Sequence, residues 1–165
     1  VAPGSKWDSK IWAEERFAEV IAELIERNDV FPIVFGGRED REKGNRLLRH
    51  WKSGANAAGE LNIRQAAAAL ENCRLYLGND TGTMHLAAAV ETPCVAVFAA
   101  IDLPGRWHPH GENHTIFRKT VPCEGCLAPV CPFEKQCTTE ITAESVLAAC
   151  KKVLEKEGEG SKGFI

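Results

Sequence analysis

The sequence lacks several features that would indicate a specialised class of protein. It has one methionine and one tyrosine, and its 20 basic residues are outnumbered by 23 acidic ones. A net charge of −3 argues against a general nucleic-acid-binding protein, which would carry a basic surface stripe. Because no apolar run approaches the roughly 18 residues of a membrane span, we predict no transmembrane segment. We find no secretory signal pattern, no internal repeat and no low-complexity segment.

The composition is otherwise ordinary and leaves room for one domain. Apolar residues make up 44% of the sequence and charged residues 26%, values typical of globular proteins. A chain of 165 residues can bury a sizeable core. The first residue is Val1, and the opening "VAPGSKW" is typical of a strand that ends in a turn. We therefore expect the chain to be part of a longer protein.

Runs with strand character alternate with runs of helical periodicity along the chain. The β-rich runs are "VFPIVFGG", "RLYLG", "PCVAVFAA" and "HTIFRK"; the third is apolar throughout, as expected for a strand covered on both faces. This alternation predicts an α/β fold, a Rossmann-like open parallel sheet with helices on both faces. We assign residues 1–157 to this domain and residues 158–165 to a flexible tail. Asn62 and Thr142 are the predicted N-caps of two helices.

The most informative stretch is the turn "NDTGT", which joins a predicted strand to an Ala-rich helix. We expect the side chain of Asp80 or Thr81 to cap this helix by accepting a backbone N–H. The free N–H groups around Thr81 to Met84, together with the helix dipole, would then form an anion site. Gly82 leaves room for a phosphate, and the ring of His85 could reach the same ligand. The alternative is that Asp80 is only a cap and His85 a partly buried histidine.

Two further loops lie where parallel strands end, which is where open α/β sheets bind ligands. The first holds Ser5, Lys6 and Lys10, whose hydroxyl and ammonium groups suit a phosphate. The second, "GGREDRE", offers Glu39 and Asp40 as acceptors for a ribose diol. As alternatives, the lysines are solvated at a helix start and the acids occupy a first helical turn. With the turn described above, the loops predict a site for a nucleotide diphosphate carrying a sugar.

Seven cysteines are a high count, and four of them lie within the loop 120–138. These four, spaced C-x₂-C-x₄-C-x₅-C, could enclose a structural zinc ion tetrahedrally, or form two disulfides, or remain free thiols. They are Cys123, Cys126, Cys131 and Cys137. We interpret any metal here as structural, because no open coordination position or general base is evident. The other three cysteines are predicted to be small core residues.

Several motifs, taken in order, resemble glycosyltransferase family 9, the group related to the lipopolysaccharide heptosyltransferases. "PGSKWDSKIW" is similar to the family's opening P-G-x-x-x-x-x-K-x-W motif, and "VFGGREDRE" to its G-G-x-x-E loop. "GNDTGTMHLAAAVETPCVAVFA" resembles the most specific motif, D-[ST]-G-x-x-H-x-A-A-A followed by P-x-V-x-x-F. The pattern "PCEGC…C…C" before a closing helix also occurs in many members. The resemblance covers nearly the whole chain.

The resemblance implies a two-domain GT-B enzyme, with this chain as the donor-binding C-terminal half and an N-terminal acceptor domain outside it. It implies inverting transfer of heptose from ADP-L-glycero-D-manno-heptose to a lipid A–core acceptor, with no metal or other cofactor for catalysis. The family's catalytic base is an aspartate of the N-terminal domain. We therefore expect no catalytic residue here, and a chain that binds donor weakly without turnover. The implied location is the bacterial cytoplasm, with peripheral association at the inner face of the inner membrane.

The resemblance also implies roles for individual residues by motif position. Ser5 and Lys10 would hold the diphosphate, while the role of Lys6 stays open. Asp40 would be the ribose-binding acid, with Glu39 as the alternative. The turn under the diphosphate and sugar would be formed by Asp80, Thr81, Gly82, Thr83 and Met84, with His85 just behind. A second hypothesis, from a different class, is a non-catalytic nucleotide-binding or zinc-stapled interaction domain.

Overall fold

A computed structural model of the chain describes the backbone of residues 1–160 and the side chains of residues 1–156. Within these residues, the strands are β1 Ile33–Val34, β2 Ala55–Asn56, β3 Tyr76–Asn79, β4 Cys94–Phe98 and β5 Thr115–Arg118. All pairings are parallel: β1 pairs with β2, and β4 lies between β3 and β5. The opening residues join the two sets, because Ala2 donates to Leu77 O and Phe35 donates to Val1 O. The predicted open parallel sheet is confirmed.

Helices connect the strands. They are α1 Glu14–Asn28, α2 Arg41–Trp51, α3 Ile63–Glu71, α4 Gly82–Ala89, α5 Gln136–Thr139 and α6 Ala143–Gly160, with 3₁₀ turns at Asp8–Lys10 and Arg38–Asp40. Helix α6 continues three residues into the segment predicted as a tail, and residues 161–165 of that segment lie outside the described residues. No helix in the described part of the chain is both long and apolar enough to cross a bilayer.

Two apolar cores lie on opposite faces of the sheet. Side chains of α1, α2 and α6 pack with Leu77, Val95 and Val97 on one face. Side chains of α3 and α4 pack with Tyr76 and Ala96 on the other. Because successive strand residues point to opposite faces, a strand covered on both sides must be apolar at every position. This explains the unbroken apolar run of β4, which is buried throughout.

The two predicted N-caps are confirmed. Asn62 Oδ1 accepts the N–H groups of Arg64 and Gln65, each at 3.0 Å, and the Gln65 side chain accepts the N–H of Asn62 at 3.0 Å. The Thr142 hydroxyl accepts the N–H of Ser145 at 3.2 Å. Both caps are local interactions over three residues, which is why the sequence indicates them.

Asn79, at the end of β3, fixes the opening loop over the edge of the sheet. Its side chain is fully buried; Oδ1 accepts the N–H of Trp12 at 3.1 Å and Nδ2 donates to Gly4 O at 3.3 Å. Trp12 is itself fully buried and donates its indole N–H to Ile141 O. Both ends of the loop 4–12 are thereby attached to the carboxyl end of β3.

We predict that Asn79→Ala lowers the free energy of unfolding by about 2–4 kcal/mol, because two buried backbone groups lose their partner. Urea denaturation measures the loss. Asn113→Ala is the matched control, because the Asn113 side chain is exposed, and we expect it to change stability by less than about 0.5 kcal/mol. Equal stabilities for the two variants would contradict the role given to Asn79.

Candidate functional site

The three loops predicted to carry the chemistry surround one region of the surface. A cavity of about 630 Å³, the large cavity, is lined by Ser5, Lys6, Glu39, Asp40, Thr81, Gly82, Thr83 and His85, among others. A second cavity of about 430 Å³, the small cavity, is lined by Ser5, Lys6, Trp7, Lys10, Asp80, Thr81 and Gly82. The two cavities share the residues at the start of α4. Every predicted donor-binding residue except Met84 lines one of them.

The first turn of α4 holds backbone donors that the protein does not use. Within residues 1–160, no protein acceptor takes the N–H of Thr81, Gly82 or Thr83. Apart from its chain neighbours and the nearby backbone of α4, no described atom lies within 4 Å of the place where a Cβ on Gly82 would stand. Amides of this kind, at the positive end of a helix, form an anion site. The start of α4 therefore has the geometry that the sequence predicts for a phosphate.

Met84 does not belong to this turn of donors. Its N–H donates to Thr81 O at 3.1 Å, and its side chain is fully buried. It packs with Ala87 and Ala96 in the core beneath α4. The prediction that the N–H of Met84 is free is therefore wrong, because the protein already uses it; a place for Met84 in the turn under the ligand stays a prediction.

The expected side-chain cap of α4 is also wrong. Neither Asp80 nor Thr81 accepts an N–H of the helix through its side chain. Asp80 Oδ2 instead accepts Lys10 Nζ at 2.5 Å, and the two side chains are only 7% and 16% exposed. A partly buried ammonium is a stronger partner for the carboxylate than a neutral N–H. Because an ammonium has three donors, Lys10 keeps two for a ligand.

A small network of hydroxyl groups lies behind the start of α4. The Thr81 and Thr83 hydroxyls are 2.8 Å apart, and the Thr83 hydroxyl is 3.0 Å from Tyr76 Oη. Burial raises the pKa of Tyr76, so its phenol stays neutral and can donate. This network occupies the Thr81 side chain and leaves the backbone N–H groups above it free. Sequence analysis did not select Tyr76, whose role depends on the fold.

Three glycines surround the carboxylate of Asp40 in the wall of the large cavity: one donates a hydrogen bond to it, and two leave the space that it occupies. Its Oδ2 accepts the N–H of Gly37 at 3.0 Å, and a Cβ at Gly4 or Gly36 would stand 1.9 Å or 2.5 Å from its carboxyl oxygens. Burial raises the pKa of Asp40, and the Gly37 N–H opposes that shift. Its Oδ1 has no donor among residues 1–160. Glu39 lines the same cavity but is exposed, so the structure favours Asp40 as the fixed acceptor.

The rest of the large cavity is an apolar wall, formed by Leu61, Ile63, Ala66, Leu86 and Ala89. Leu61 precedes α3, Ile63 and Ala66 lie at its start, and Leu86 and Ala89 lie in the second half of α4. His85 is exposed on the same side of α4. Lys6 lines both cavities, is exposed, and forms no ion pair with a described carboxylate. The site thus combines an apolar slot, a carboxylate, unused amides and an uncompensated positive charge.

The cysteine-rich loop does not fit the zinc prediction. The cysteines are free thiols, and no group of three or more His, Cys, Asp or Glu in the described residues could hold a metal ion. Cys137 is buried, which raises the pKa of its thiol and disfavours the thiolate that a metal needs. Cys131 Sγ accepts the N–H groups of Phe133 and Lys135 at 3.3 Å, and Cys126 is exposed. The fourth member of the predicted set is Cys123, which is half-buried.

Known sequences match this chain over most of its length. The profile described as "Glycosyltransferase family 9 (heptosyltransferase)" matches residues 1–137. Lipooligosaccharide heptosyltransferase 2 of Haemophilus influenzae is 29% identical over 167 residues, which cover 93% of this chain and 46% of that protein. Lipopolysaccharide heptosyltransferase 1 of Pseudomonas aeruginosa is 28% identical over 131 residues, 79% of this chain and 36% of the relative. The chain spans about half or less of the length of these relatives.

Solved structures agree with the sequence matches. Escherichia coli ADP-heptose lipopolysaccharide heptosyltransferase II superimposes with a TM-score of 0.80 at 28% identity, covering 95% of this chain and 46% of that one. E. coli heptosyltransferase WaaC with ADP gives 0.72 at 20% identity, covering 92% and 42%, and an iron-containing dodecameric glycosyltransferase, TibC, gives 0.70 at 18%, covering 94% and 44%. The last two likenesses show the fold alone. The family profile shows that the chain belongs to glycosyltransferase family 9, the heptosyltransferases, and the superpositions show that it has the α/β fold of a GT-B half.

Proposed function

We propose that this chain is the nucleotide-sugar donor-binding domain of an inverting glycosyltransferase that transfers heptose from ADP-heptose to a lipopolysaccharide core acceptor. The observation that carries the proposal is the set of unused N–H groups at Thr81, Gly82 and Thr83, which lie where two cavities meet. The names of the relatives support heptose as the sugar and lipopolysaccharide as the acceptor.

The large cavity suits the nucleoside. Its apolar wall offers a surface for a flat base, and Asp40 Oδ1 is free to accept from the ribose diol. The diphosphate then lies over the start of α4, where the amides and the helix dipole favour negative charge. In this arrangement ADP fills the large cavity and ends at the boundary with the small one. Ser5 lines both cavities and contributes its hydroxyl at that boundary.

The same groups would assist the chemistry. When the bond between the anomeric carbon and the phosphate oxygen breaks, the electron pair stays on the departing diphosphate. Lys10 and the α4 amides would stabilise that developing charge, which is the role a metal ion has in other sugar transfers. Lys6 adds an uncompensated positive charge, and Asp80 holds the Lys10 ammonium in place. Each of these groups is already positioned before a ligand arrives.

Transfer also needs a general base at the acceptor hydroxyl, opposite the departing diphosphate. We propose that this base belongs to a part of the enzyme outside this chain, since the chain spans about half the length of its relatives. The chain alone would then bind donor without turning it over. The relatives are named lipopolysaccharide or lipooligosaccharide heptosyltransferases of bacteria, and we propose that the whole enzyme works at the cytoplasmic face of the membrane.

We predict that Lys10→Ala lowers the affinity for ADP by roughly tenfold or more. The substitution removes a charged donor and leaves the Asp80 carboxylate, only 7% exposed, without a partner beside the diphosphate. Calorimetric titration with ADP measures the loss, and adenosine, which has no phosphate, should be nearly unaffected. Lys119→Ala, at an exposed position after β5, is the control and should bind ADP as the unmodified chain does. Equal ADP affinities for both variants would contradict the proposal.

We predict that Gly82→Ala lowers the affinity for ADP without lowering the stability of the fold. No protein atom would touch the new methyl group, and alanine favours a helix over glycine by up to about 1 kcal/mol, so stability should stay equal or rise. The methyl group would stand where the diphosphate approaches, so we expect ADP affinity to fall roughly tenfold or more. Urea denaturation and calorimetry on the same samples test both halves. Unchanged ADP affinity would place the diphosphate elsewhere.

A further inference from the structure

Trp7 differs from the other three tryptophans in the hydrogen bonding of its indole N–H. Trp12, Trp51 and Trp107 each donate their indole N–H to a protein oxygen. Trp7 is 36% exposed, and its indole N–H has no acceptor among residues 1–160. Trp7 lines the small cavity. A large aromatic side chain at the wall of a cavity, whose N–H has no acceptor among the described residues, is typical of a ligand contact.

The 3₁₀ turn Asp8–Lys10 sets the position of the Trp7 ring. The N–H of Lys10 donates to Trp7 O at 3.0 Å, and residues three apart in such a turn project on the same side. Lys10 Nζ lies 5.8 Å from the centroid of the Trp7 ring and 2.5 Å from Asp80 Oδ2. The ion pair with Asp80 therefore also holds the Lys10 ammonium beside the Trp7 ring, at the wall of the small cavity.

The shared boundary of the two cavities determines what the small cavity can receive. Both are lined by Ser5, Lys6, Thr81 and Gly82, and the unused amides lie at that boundary. With the diphosphate there and the nucleoside in the large cavity, the group on the other side of the diphosphate enters the small cavity. In a nucleotide sugar, that group is the glycosyl ring.

We propose that the face of the Trp7 indole is the surface on which the glycosyl ring of the donor stacks, which makes Trp7 a specificity-determining residue. This inference rests on the proposed function. The C–H groups on one face of a pyranose are weakly positive and apolar, and the face of an indole is negative. The sugar hydroxyls at the ring edge remain available to Lys6, Lys10 and Asp80. A sugar with an axial hydroxyl on the stacking face would fit less well.

The test compares ADP with ADP-heptose on the same chain by calorimetry. Trp7→Ala is expected to lower the affinity for ADP-heptose roughly tenfold and to leave the affinity for ADP within about twofold. Trp7→Phe keeps an aromatic face and should restore most of the loss. Trp107→Ala is the matched control, because Trp107 is also exposed and lines neither cavity. It should bind both ligands as the unmodified chain does.

The outcomes separate this inference from the proposed function. If Trp7→Ala lowers the affinities for ADP and ADP-heptose equally, the ring acts only through Lys10. That result would overturn the stacking role but leave the proposed donor binding intact. Unchanged affinity for both ligands would also overturn it. An unmodified chain that binds neither ADP nor ADP-heptose would overturn the proposed function, and the inference with it.

Discussion

The ion pair between Lys10 and Asp80 decides what the start of α4 can do. Asp80 stands where a helix N-cap is expected, and a capping side chain is worth about 1 kcal/mol to a helix. Here its carboxylate is bound by an ammonium from 70 residues away, and the first amides of α4 have no partner in the part of the chain that the structure describes. The helix therefore lacks the stabilising hydrogen bond of a side-chain cap, and its first amides stay available to an anion. Such departures from local stability rules occur at functional sites.

The rest of the architecture holds that pair in place. Asn79, one residue before Asp80, binds both ends of the loop that carries Lys10. The parallel sheet brings the ends of β1 and β3 to the same edge, so that Asp40 and the α4 amides border one cavity. The apolar cores on both faces of the sheet pack against the strands that end at this edge. A ligand therefore meets groups that are already positioned, which lowers the cost of binding.

Much of the fold and the outline of the site could be predicted because their signals are local. The apolar run of β4, the Asn62 N-cap and the three polar loops are each recognised from residues that lie within a few positions of one another in the sequence. The predictions that were wrong, the side-chain cap of α4 and the free N–H of Met84, depend on which of several possible partners a polar group binds in the folded protein. The residues near Asp80 in the sequence do not indicate that its carboxylate binds Lys10. The motif likewise does not indicate that the Met84 side chain is buried in the core. Cysteine spacing likewise indicates a metal without showing whether the thiols converge.

Residues that act through tertiary contacts escaped the sequence analysis for the same reason. From the sequence, Asn79 is interpreted only as part of a turn and Tyr76 only as part of a strand, yet Asn79 holds the opening loop and Tyr76 supports the hydroxyls of Thr81 and Thr83. Trp7 reads as a surface residue until its ring is seen beside the small cavity. The chemistry of the site could be inferred from residue types, but the positions of its supporting groups required the fold.

The central claim is that the unused amides at the start of α4 bind a diphosphate. Two-dimensional ¹H–¹⁵N NMR spectra of the chain during titration with ADP test it most directly. The account predicts downfield shifts of the Thr81, Gly82 and Thr83 amide protons as they form charge-assisted hydrogen bonds, while the Met84 amide, already bonded to Thr81 O, moves little. Saturable ADP binding that leaves those three resonances in place, or no binding at all, would contradict it.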